Sequence, residues 1–257
     1  MSSERSQQPV RPEHYDESYF LGACEGHEEF TSSEGAHLSR RLRQSFDIAQ
    51  VSPGMRVLDV GCGRGEILRR CAELNVEAHG IDFAPVATKM ALRAGTVYQA
   101  NAKYLPFPDD CFDRVLMFDL VEHLHQWELK QALAEARRVL KLDGKLIIHT
   151  APNAWYDRRA YPVVRTVRRL MGHRDGYPKD PRAIIPANLD VHVNEQSALS
   201  LWRVLRRAGF RAHIWLDTPP QNRDEGAVLA MARHILFNWP PFSWFFEREV
   251  FAVARPL

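Results

Sequence analysis

Cysteine is scarce in this 257-residue chain, and its spacing excludes two kinds of small domain. The four cysteines are scattered and form no C-x-x-C pair; they are Cys24, Cys62, Cys71 and Cys111. Zinc knuckles and disulfide-stapled secreted domains depend on closely paired cysteines, so neither is indicated. A reducing compartment is expected, and we predict a cytoplasmic protein.

Targeting and membrane-spanning patterns are also missing. The polar start, MSSERSQQ, has no apolar core of a secretory signal and is expected to be a frayed tail. The most apolar stretch, 227–246, is interrupted by polar residues and prolines; these are Arg233, His234, Asn238, Pro240 and Pro241. A membrane span needs about 20 uninterrupted apolar residues. We expect the aromatic residues of this stretch to pack in the core, with contact to a membrane or a partner as the alternative.

Charge of one sign is not in excess either. The formal net charge is +2, which makes nucleic acid an unlikely partner. The hydrophobic fraction of 45% is ordinary for a globular protein, and 257 residues suffice for a full core. Composition therefore favours a globular enzyme of one or two domains.

A glycine-rich turn is the most informative feature that is present. In segment 55–65 (MRVLDVGCGRG) an apolar run ends near Asp59, and a second apolar segment ends at Asp82. This pattern predicts a strand, a glycine turn, a helix and a second strand ending in a carboxylate. A Cβ at Gly61 or Gly63 would hold a ligand off the main chain or forbid the φ angles of the turn. Since Asp82 can accept hydrogen bonds from both ribose hydroxyls, we predict a nucleoside site.

The residues around the turn distinguish between nucleoside cofactors. A dinucleotide fingerprint, counted from Gly61, requires a small third residue where this chain has Glu66. A pyrophosphate would also meet the carboxylates of Glu66 and Asp59 at the helix N-terminus. S-adenosylmethionine carries a sulfonium and an ammonium group and no phosphate, so these carboxylates favour it over NAD.

Segment 57–65 (VLDVGCGRG) resembles motif I of the class I S-adenosylmethionine-dependent methyltransferases, in the small-molecule branch that contains the ubiquinone/menaquinone methyltransferases. Segments 101–113, 114–124 and 139–148 are similar to later motifs of that family and follow in its order. The resemblance covers roughly residues 50–152. It implies an α/β fold with a doubly wound, Rossmann-like sheet of seven strands. The sheet is mostly parallel, with an antiparallel last strand between strands five and six.

Alternating apolar segments from residue 55 onward predict the same doubly wound parallel sheet. The predicted strands are 57–60, 78–82, 97–100, 115–119, 145–150, 211–217 and 249–254, and a final helix is expected near 228–237. We predict an N-terminal arm and cap helix over 1–49. The methyltransferase domain is expected over 50–257, with a helical lid inserted at about 153–190.

The resemblance implies S-adenosylmethionine as cofactor and suggests residues that bind it. Asp59, Gly61, Cys62 and Gly63 are expected at the methionine part, and Asp82 at the ribose. The remaining expected contacts are Phe83 on an adenine face, Asn101 and Ala102 at the adenine amino edge, and Phe118 and Asp119 beside the methionine part. The family usually has Asp where this chain has Asn101, and the amide oxygen can still accept a hydrogen bond.

A general base is sought among the histidines, because imidazole titrates near neutrality. His123, directly after strand four, is the first candidate for a catalytic residue and His192 the second. The run from Asp119 to His123 (DLVEH) also resembles the carboxylate-x-x-Glu-His run of metal-assisted O-methyltransferases. In that alternative Asp119, Glu122, His123 and His192 would hold a divalent ion, although those families have Glu at the position of Asp119. Our main prediction contains no metal.

Acceptor specificity is expected from two segments outside the sheet. Residues 13–34 contain seven acidic residues and no Lys or Arg, and 153–182 contain seven Arg and one Lys against three Asp. We predict that Tyr15, Tyr19, Arg158 and Arg159 bind the acceptor, which an Arg cluster would suit if it is anionic. The alternative for the arginines is a solvated helix face.

The predicted activity is methyl transfer from S-adenosylmethionine to a small molecule, with O-methylation of a metabolite or a sugar or glycan precursor in first place. An RNA or protein methyltransferase and a non-methylating use of the fold are the alternatives. Neither the acceptor nor the oligomeric state follows from the sequence.

Overall fold

Seven strands form the central sheet, in the order β3-β2-β1-β4-β5-β7-β6. The computed structural model describes residues 8–172, 176–217, 231, 234–235 and 239–257. The strands are β1 (Arg56–Val60), β2 (Glu77–Asp82), β3 (Thr96–Gln99), β4 (Phe112–Phe118), β5 (Leu140–Thr150), β6 (Phe210–Asp217) and β7 (Glu249–Pro256).

The first five strands are parallel, and the last strand is inserted in the opposite direction. β1 pairs in parallel with β2 and β4, as do β2 with β3 and β4 with β5. β7 is antiparallel to both β5 and β6 and lies between them. The predicted Rossmann-like class and the position of the last strand are confirmed.

The described helices surround this sheet, and polar side chains mark where several of them begin. Ser39 Oγ accepts a hydrogen bond from Leu42 N at the start of the second helix, and Ser197 caps the eighth. The helices are α1 (His27–Ser33), α2 (Arg40–Ala49), α3 (Glu66–Glu73), α4 (Pro85–Ala91), α5 (Gln126–Val139), α6 (Tyr161–Leu170), α7 (Asn188–Val191), α8 (Ala198–Arg207) and a short last helix, Phe242–Phe246.

Apolar side chains on both faces of the sheet explain why helices cover both sides. Successive residues of a strand point to opposite faces. In β1, Leu58 belongs to the core layer with α5 and α8, whereas Val57 belongs to the layer with α2 and α3. In β5, Ile148 and Ile147 divide in the same way. Ligands of such sheets bind at the carboxyl ends of the strands.

Strand boundaries are the part of the prediction that the structure corrects. β4 begins at Phe112, three residues before the predicted start, because the charged pair Asp113 and Arg114 hid the strand. Arg114 is buried, and its guanidinium donates a 2.7 Å hydrogen bond to the Ala49 carbonyl. β5 begins at Leu140, five residues before the predicted start. The helix expected near 228–237 lies largely outside the described residues.

The segments expected as arm and lid contain short helices where they are described. The arm carries the π-helical turn Tyr19–Ala23 and α1, and the lid carries the π-helical turn Tyr156–Ala160, α6, the 3-10 turn Pro181–Ile184 and α7. The domain boundaries themselves stay a prediction. Within the described ranges, no helix has the length and apolar character that crossing a membrane requires.

Candidate active site

A cavity of about 740 Å³ lies at the carboxyl ends of β1, β2 and β4. Its walls come from the glycine turn after β1, from the arm, from the 3-10 turn Val121–His123 and from the lid. This volume is in the range of small-molecule and cofactor sites. All ten residues predicted to bind the cofactor belong to its lining.

The turn after β1 has the backbone that the glycines were expected to provide. Gly61 and Gly63 have φ angles of +79° and +50°, a region that side chains with a Cβ rarely adopt. The amides of Gly61 and Cys62 donate to the Ile81 carbonyl at 2.8 and 2.9 Å. These bonds hold the turn against the end of β2, so the main chain faces the cavity directly.

Asp82, at the end of β2, is held by main-chain amides. Its two carboxylate oxygens accept hydrogen bonds from Gly63 N at 3.1 Å and from Ala84 N at 2.9 Å. Burial raises the pKa of this carboxyl to about 6, although the amides favour its charged form. Each oxygen keeps a second lone pair, so the carboxylate can still accept hydrogen bonds from a ligand.

Asp59 is a buried carboxyl with no cationic side chain paired to it in the described residues. It is 3% exposed, and burial together with Glu66 and Asp82 raises its pKa to about 8. Glu66 is paired with Arg64 at 2.6 Å. A ligand ammonium beside Asp59 would supply the missing positive charge, and that chemistry fits the methionine end of S-adenosylmethionine.

The other end of the cavity carries the residues expected at adenine. Phe83, Asn101 and Ala102 all line it. The Asn101 side-chain oxygen accepts a hydrogen bond from Lys103 N at 3.0 Å, which fixes the orientation of the amide. The side-chain NH₂ is thereby left to donate to a ring nitrogen of a bound base, which an Asp at this position could not do.

Asp119, which follows β4, belongs to a buried ionic network. Its φ angle is +48°, its carboxylate lies 2.9 Å from His149 Nδ1, and Arg41 lies 3.6 Å away. Although burial opposes ionisation, His149 and Arg41 hold the pKa of Asp119 well below its usual range. Burial likewise opposes protonation of His149, but Asp119 and Glu249 raise its pKa to about 9.

The two histidines predicted to be catalytic lie side by side in the cavity. The rings of His123 and His192 are 4.9 Å apart, and His123 Nδ1 lies 3.1 Å from the Tyr15 hydroxyl and 3.2 Å from the Val191 carbonyl oxygen. Burial lowers the pKa of His123 to about 4 and that of His192 to about 3. Both imidazoles are therefore neutral at pH 7.

Glu122 completes a group of three possible metal ligands. Ligand atoms of Glu122, His123 and His192 all lie within 4.8 Å of one another. Glu122 accepts a 2.7 Å hydrogen bond from Thr150 Oγ1, and burial and Asp119 raise its pKa to about 8. The fourth residue considered as a ligand, Asp119, is not in this group, since its carboxylate pairs with His149.

The four residues predicted to bind the acceptor fall in two places. Tyr15 and Tyr19 line the cavity and touch each other, with ring centroids 5.2 Å apart. Arg158 and Arg159 are exposed on the lid and do not line it. Sequence reasoning missed the arginines that do, namely Arg41, Arg64, Arg182 and Arg248. Arg248 directly precedes β7, so the predicted antiparallel last strand was a signal that could have found it.

Comparison with known proteins identifies the family of this chain. Residues 58–148 match the family model "Methyltransferase domain". The ubiquinone/menaquinone biosynthesis C-methyltransferase UbiE of Cupriavidus taiwanensis is 30% identical over 194 residues, which cover 69% of this chain and 76% of that protein. The UbiE protein of Bordetella avium is 36% identical over 130 residues, which cover 45% of this chain and 48% of that protein. Thus the chain spans less than half the length of some curated relatives.

A solved structure shows the same fold at larger coverage. The S-adenosylmethionine-dependent methyltransferase from Archaeoglobus fulgidus has a TM-score of 0.59 at 23% identity, covering 88% of this chain and 99% of that one. The chain therefore belongs to the class I S-adenosylmethionine-dependent methyltransferases of the small-molecule type, with relatives among the UbiE proteins. The cofactor predicted from the glycine turn is confirmed as that of the family.

Proposed function

We propose that this protein transfers the methyl group of S-adenosylmethionine to a hydroxyl oxygen of a small molecule. The observation that carries the proposal is that one cavity holds both the nucleoside-binding carboxylate Asp82 and the buried imidazole of His123. When bound, the cofactor supplies an activated methyl group and its own leaving group. The chain must bind it, orient the acceptor, exclude water and accept a proton.

Two buried carboxylates bind and orient the cofactor in this proposal. Asp82 is aimed by two amides and serves the ribose, while Asp59 serves the ammonium group. The arm excludes water, because Tyr15, Tyr19 and Phe20 are all buried and form one apolar cluster with Ala84 and other residues. An acceptor that enters this cavity is thus covered on one side by the apolar side chains of the arm.

His123 accepts the proton of the acceptor hydroxyl in this proposal. Its Nδ1 lies 3.2 Å from the Val191 carbonyl, which can only accept, so we assign the proton to Nδ1 and the free lone pair to Nε2. A base with a pKa of about 4 is weak. It suits an acceptor that already has an acidic hydroxyl, such as a phenol or an enol, better than an alcohol. A phenolate or enolate can also react at carbon, which is the position named for the UbiE relatives.

A metal-assisted O-methyltransferase is the second candidate, favoured by the group Glu122, His123 and His192. Two imidazoles and a carboxylate are suitable ligands for a divalent transition metal or zinc. Such an ion lowers the pKa of a bound hydroxyl, which would extend the acceptors to sugar alcohols. Dialysis against Co²⁺ followed by visible absorption spectroscopy tests this. A ligand-field band that disappears in His192→Ala and persists in the exposed-site control His37→Ala supports it, and no band contradicts it.

The main proposal is tested with methyl-deuterated S-adenosylmethionine and a panel of phenols, enols, sugars, RNA and protein. We expect label in a phenol or enol, with nuclear magnetic resonance showing an O–CH₃ bond, and at least tenfold slower transfer by His123→Ala than by His37→Ala. A new C–CH₃ bond would mean that the atom that accepts the methyl group is carbon and not oxygen. Label in RNA or protein alone, or no transfer although the cofactor binds, would contradict the small-molecule proposal.

A further inference from the structure

Exposed apolar side chains are concentrated in two segments of the molecule. Of the 20 large hydrophobic residues that are exposed in the described ranges, seven belong to the lid and five to residues 231–244. Single exposed apolar residues are ordinary on a protein surface, whereas a concentration of them marks contact with another apolar body. These two segments therefore indicate an interaction surface.

Helix α6 of the lid presents its apolar side to solvent. Val163, Val167 and Leu170 recur at spacings of four and three residues, which places them on one side of the helix, and Met171 follows directly. Their side chains are between 46% and 84% exposed. A surface helix normally buries such a stripe in the core, but α6 leaves it at the surface.

The other side of α6 is attached to the lid by polar contacts. The Tyr161 hydroxyl donates a 2.8 Å hydrogen bond to the Pro178 carbonyl, and Arg165 Nε donates at 3.1 Å to the Tyr177 carbonyl. The guanidinium of Arg168 lies 6.0 Å from the centre of the Tyr177 ring. Because these contacts fix the rotation of the helix, the exposure of its apolar stripe is a property of the fold.

The exposed charges of the lid are mostly positive. Four basic side chains and one acidic side chain are exposed on its described part: Arg158, Arg159, Arg169, Lys179 and Asp190. The remaining described acids are half-buried, and one of them, Asp180, is paired with Arg182 at 2.8 Å. A positive surface attracts an anionic partner, and it repels a second copy of itself.

Aromatic side chains lie beside the start of the lid. The short last helix, Phe242–Phe246, packs there, with the rings of Trp155 and Phe245 5.7 Å apart and Asn153 Nδ2 donating to the Trp244 carbonyl at 3.1 Å. The Trp244 side chain stays half exposed. Exposed aliphatic side chains accompanied by arginine and tryptophan are typical of surfaces that lie at a membrane–water interface.

We propose that the lid docks on the surface of a membrane that contains anionic lipids. The apolar stripe of α6 enters the boundary between headgroups and acyl chains, and the exposed arginines contact lipid phosphates. The docking is peripheral, because α6 has 10 residues and a membrane span needs about 20. Ile184 and Ile185 are exposed and also line the cavity at the carboxyl ends of β1, β2 and β4, so docking brings the rim of that cavity to the lipid surface.

Co-sedimentation of the full chain with lipid vesicles tests the proposal. The vesicles consist of phosphatidylcholine alone or of an equal mixture of phosphatidylcholine and phosphatidylglycerol, in about 0.1 M or about 0.5 M NaCl. We expect binding to the anionic mixture at the lower salt to be stronger than binding to phosphatidylcholine by roughly tenfold or more. Most of this binding should be lost at the higher salt, because the charges are then screened.

Two matched pairs of substitutions separate the apolar stripe from the charge. Leu170→Ser should weaken vesicle binding by roughly fivefold or more. Leu142→Ser should leave it unchanged, since Leu142 is 85% exposed, as Leu170 is at 84%, but lies on β5. Arg169→Gln should weaken binding by roughly twofold or more, whereas Arg93→Gln, an exposed position just after α4, should not change it.

Several outcomes would overturn the inference. They are no binding to either vesicle, equal binding to neutral and anionic vesicles, and equal losses in Leu170→Ser and Leu142→Ser. A dimer in sedimentation velocity that Leu170→Ser dissociates, without vesicle binding, would assign the stripe to a second copy of the chain. Because binding is measured without S-adenosylmethionine or an acceptor, the result does not depend on the methyl-transfer proposal.

Discussion

Asp82 illustrates how the fold can orient a side chain in advance for the ribose contact proposed above. Its carboxylate is buried and aimed by the amides of Gly63 and Ala84. Because these bonds restrict rotation, little ordering is left to be done on binding, and preorganisation of this kind improves affinity.

Replacement of Asp82 by Ala should weaken binding of S-adenosylhomocysteine by roughly 10- to 100-fold, as expected for the loss of charge-assisted hydrogen bonds. Calorimetry measures the affinity, and circular dichroism checks that the chain is folded. The exposed Asp143→Ala serves as control and should bind normally. Equal affinities in the two variants would contradict the ribose role of Asp82.

A comparison of Gly65 with Gly54 separates backbone strain from crowding. Both have positive φ angles, +88° and +85°. A Cβ at Gly65 would lie 3.0 Å from Ala91 Cα, whereas a Cβ at Gly54 meets no atom within 4 Å. We expect Gly54→Ala to lower the free energy of unfolding by about 1 kcal/mol through the left-handed backbone. Gly65→Ala should lower it by roughly 2–4 kcal/mol.

Urea denaturation of the two glycine variants measures this difference. If both substitutions lower the free energy of unfolding by the same amount, the close contact with α4 is not the reason for glycine at position 65.

The residues that line the cavity near the glycine turn could be predicted because a strand, a tight turn and a helix are local in sequence. Asp59, Gly61 and Gly63 lie within five positions of one another, and the parallel pairing of β1 with β2 brings Asp82 beside them. Arg182 and Arg248 could not be assigned in this way. They reach the cavity through the lid and the antiparallel strand, and contacts so distant in sequence depend on the whole fold.

At the scale of elements, three strands and one helix meet in a buried ionic network. His149 of β5 is fully buried between Asp119, which follows β4, and Glu249 of β7, and Arg41 of α2 contacts both acids. Burial of charges is costly unless they are paired. The network therefore joins these elements in one arrangement.

The raised pKa of His149 predicts a dependence of stability on pH. Because its pKa rises from 6.5 to about 9 in the fold, the protonated form stabilises the folded state. This contribution is fully present below about pH 6.5 and is lost as the pH rises through about 9, by on the order of 1–3 kcal/mol. Thermal and urea unfolding from pH 6 to 9.5 measure it.

His149→Gln should show a smaller fall over the same range, whereas His37→Gln should follow the unaltered chain. An equal fall in stability in all three proteins would mean that a group other than His149 titrates over this pH range.

Element boundaries were less predictable than element types. The start of β4 was missed because Asp113 and Arg114 are charged, and charged residues are usually outside a core. Here Arg114 is buried with its guanidinium bonded to a helix carbonyl, which no local pattern shows. The alternation of strands and helices, by contrast, follows from the periodicity of apolar residues. It was predicted correctly for β1 to β5, the parallel part of the sheet.

At the scale of the whole molecule, the arm covers the cavity at the carboxyl ends of β1, β2 and β4. The guanidinium of Arg64 donates to the Phe20 carbonyl at 2.8 Å and to the Glu25 carbonyl at 2.6 Å, which fixes the arm on the glycine turn. Phe20 is 5% exposed, and a Cβ at Gly63 would lie 3.7 Å from its ring.

Phe20→Ala should therefore weaken S-adenosylhomocysteine binding at least tenfold, because the apolar cover over the turn is lost. The neighbouring Leu21 is 38% exposed, so Leu21→Ala should bind almost normally. Calorimetry on both variants measures the two affinities for S-adenosylhomocysteine. Equal affinities would mean that the arm does not cover the bound nucleoside.

The position of β7 has a consequence for how the chain can be made. This strand fills the gap between β5 and β6, yet its residues, Glu249–Pro256, are translated after both of its neighbours. A ribosome-bound precursor must hold that gap open until residue 256 has left the exit tunnel. During that interval two unpaired strand edges are exposed to other chains, a situation that promotes aggregation. The nascent chain is thus most vulnerable to aggregation between the synthesis of β6 and the synthesis of β7.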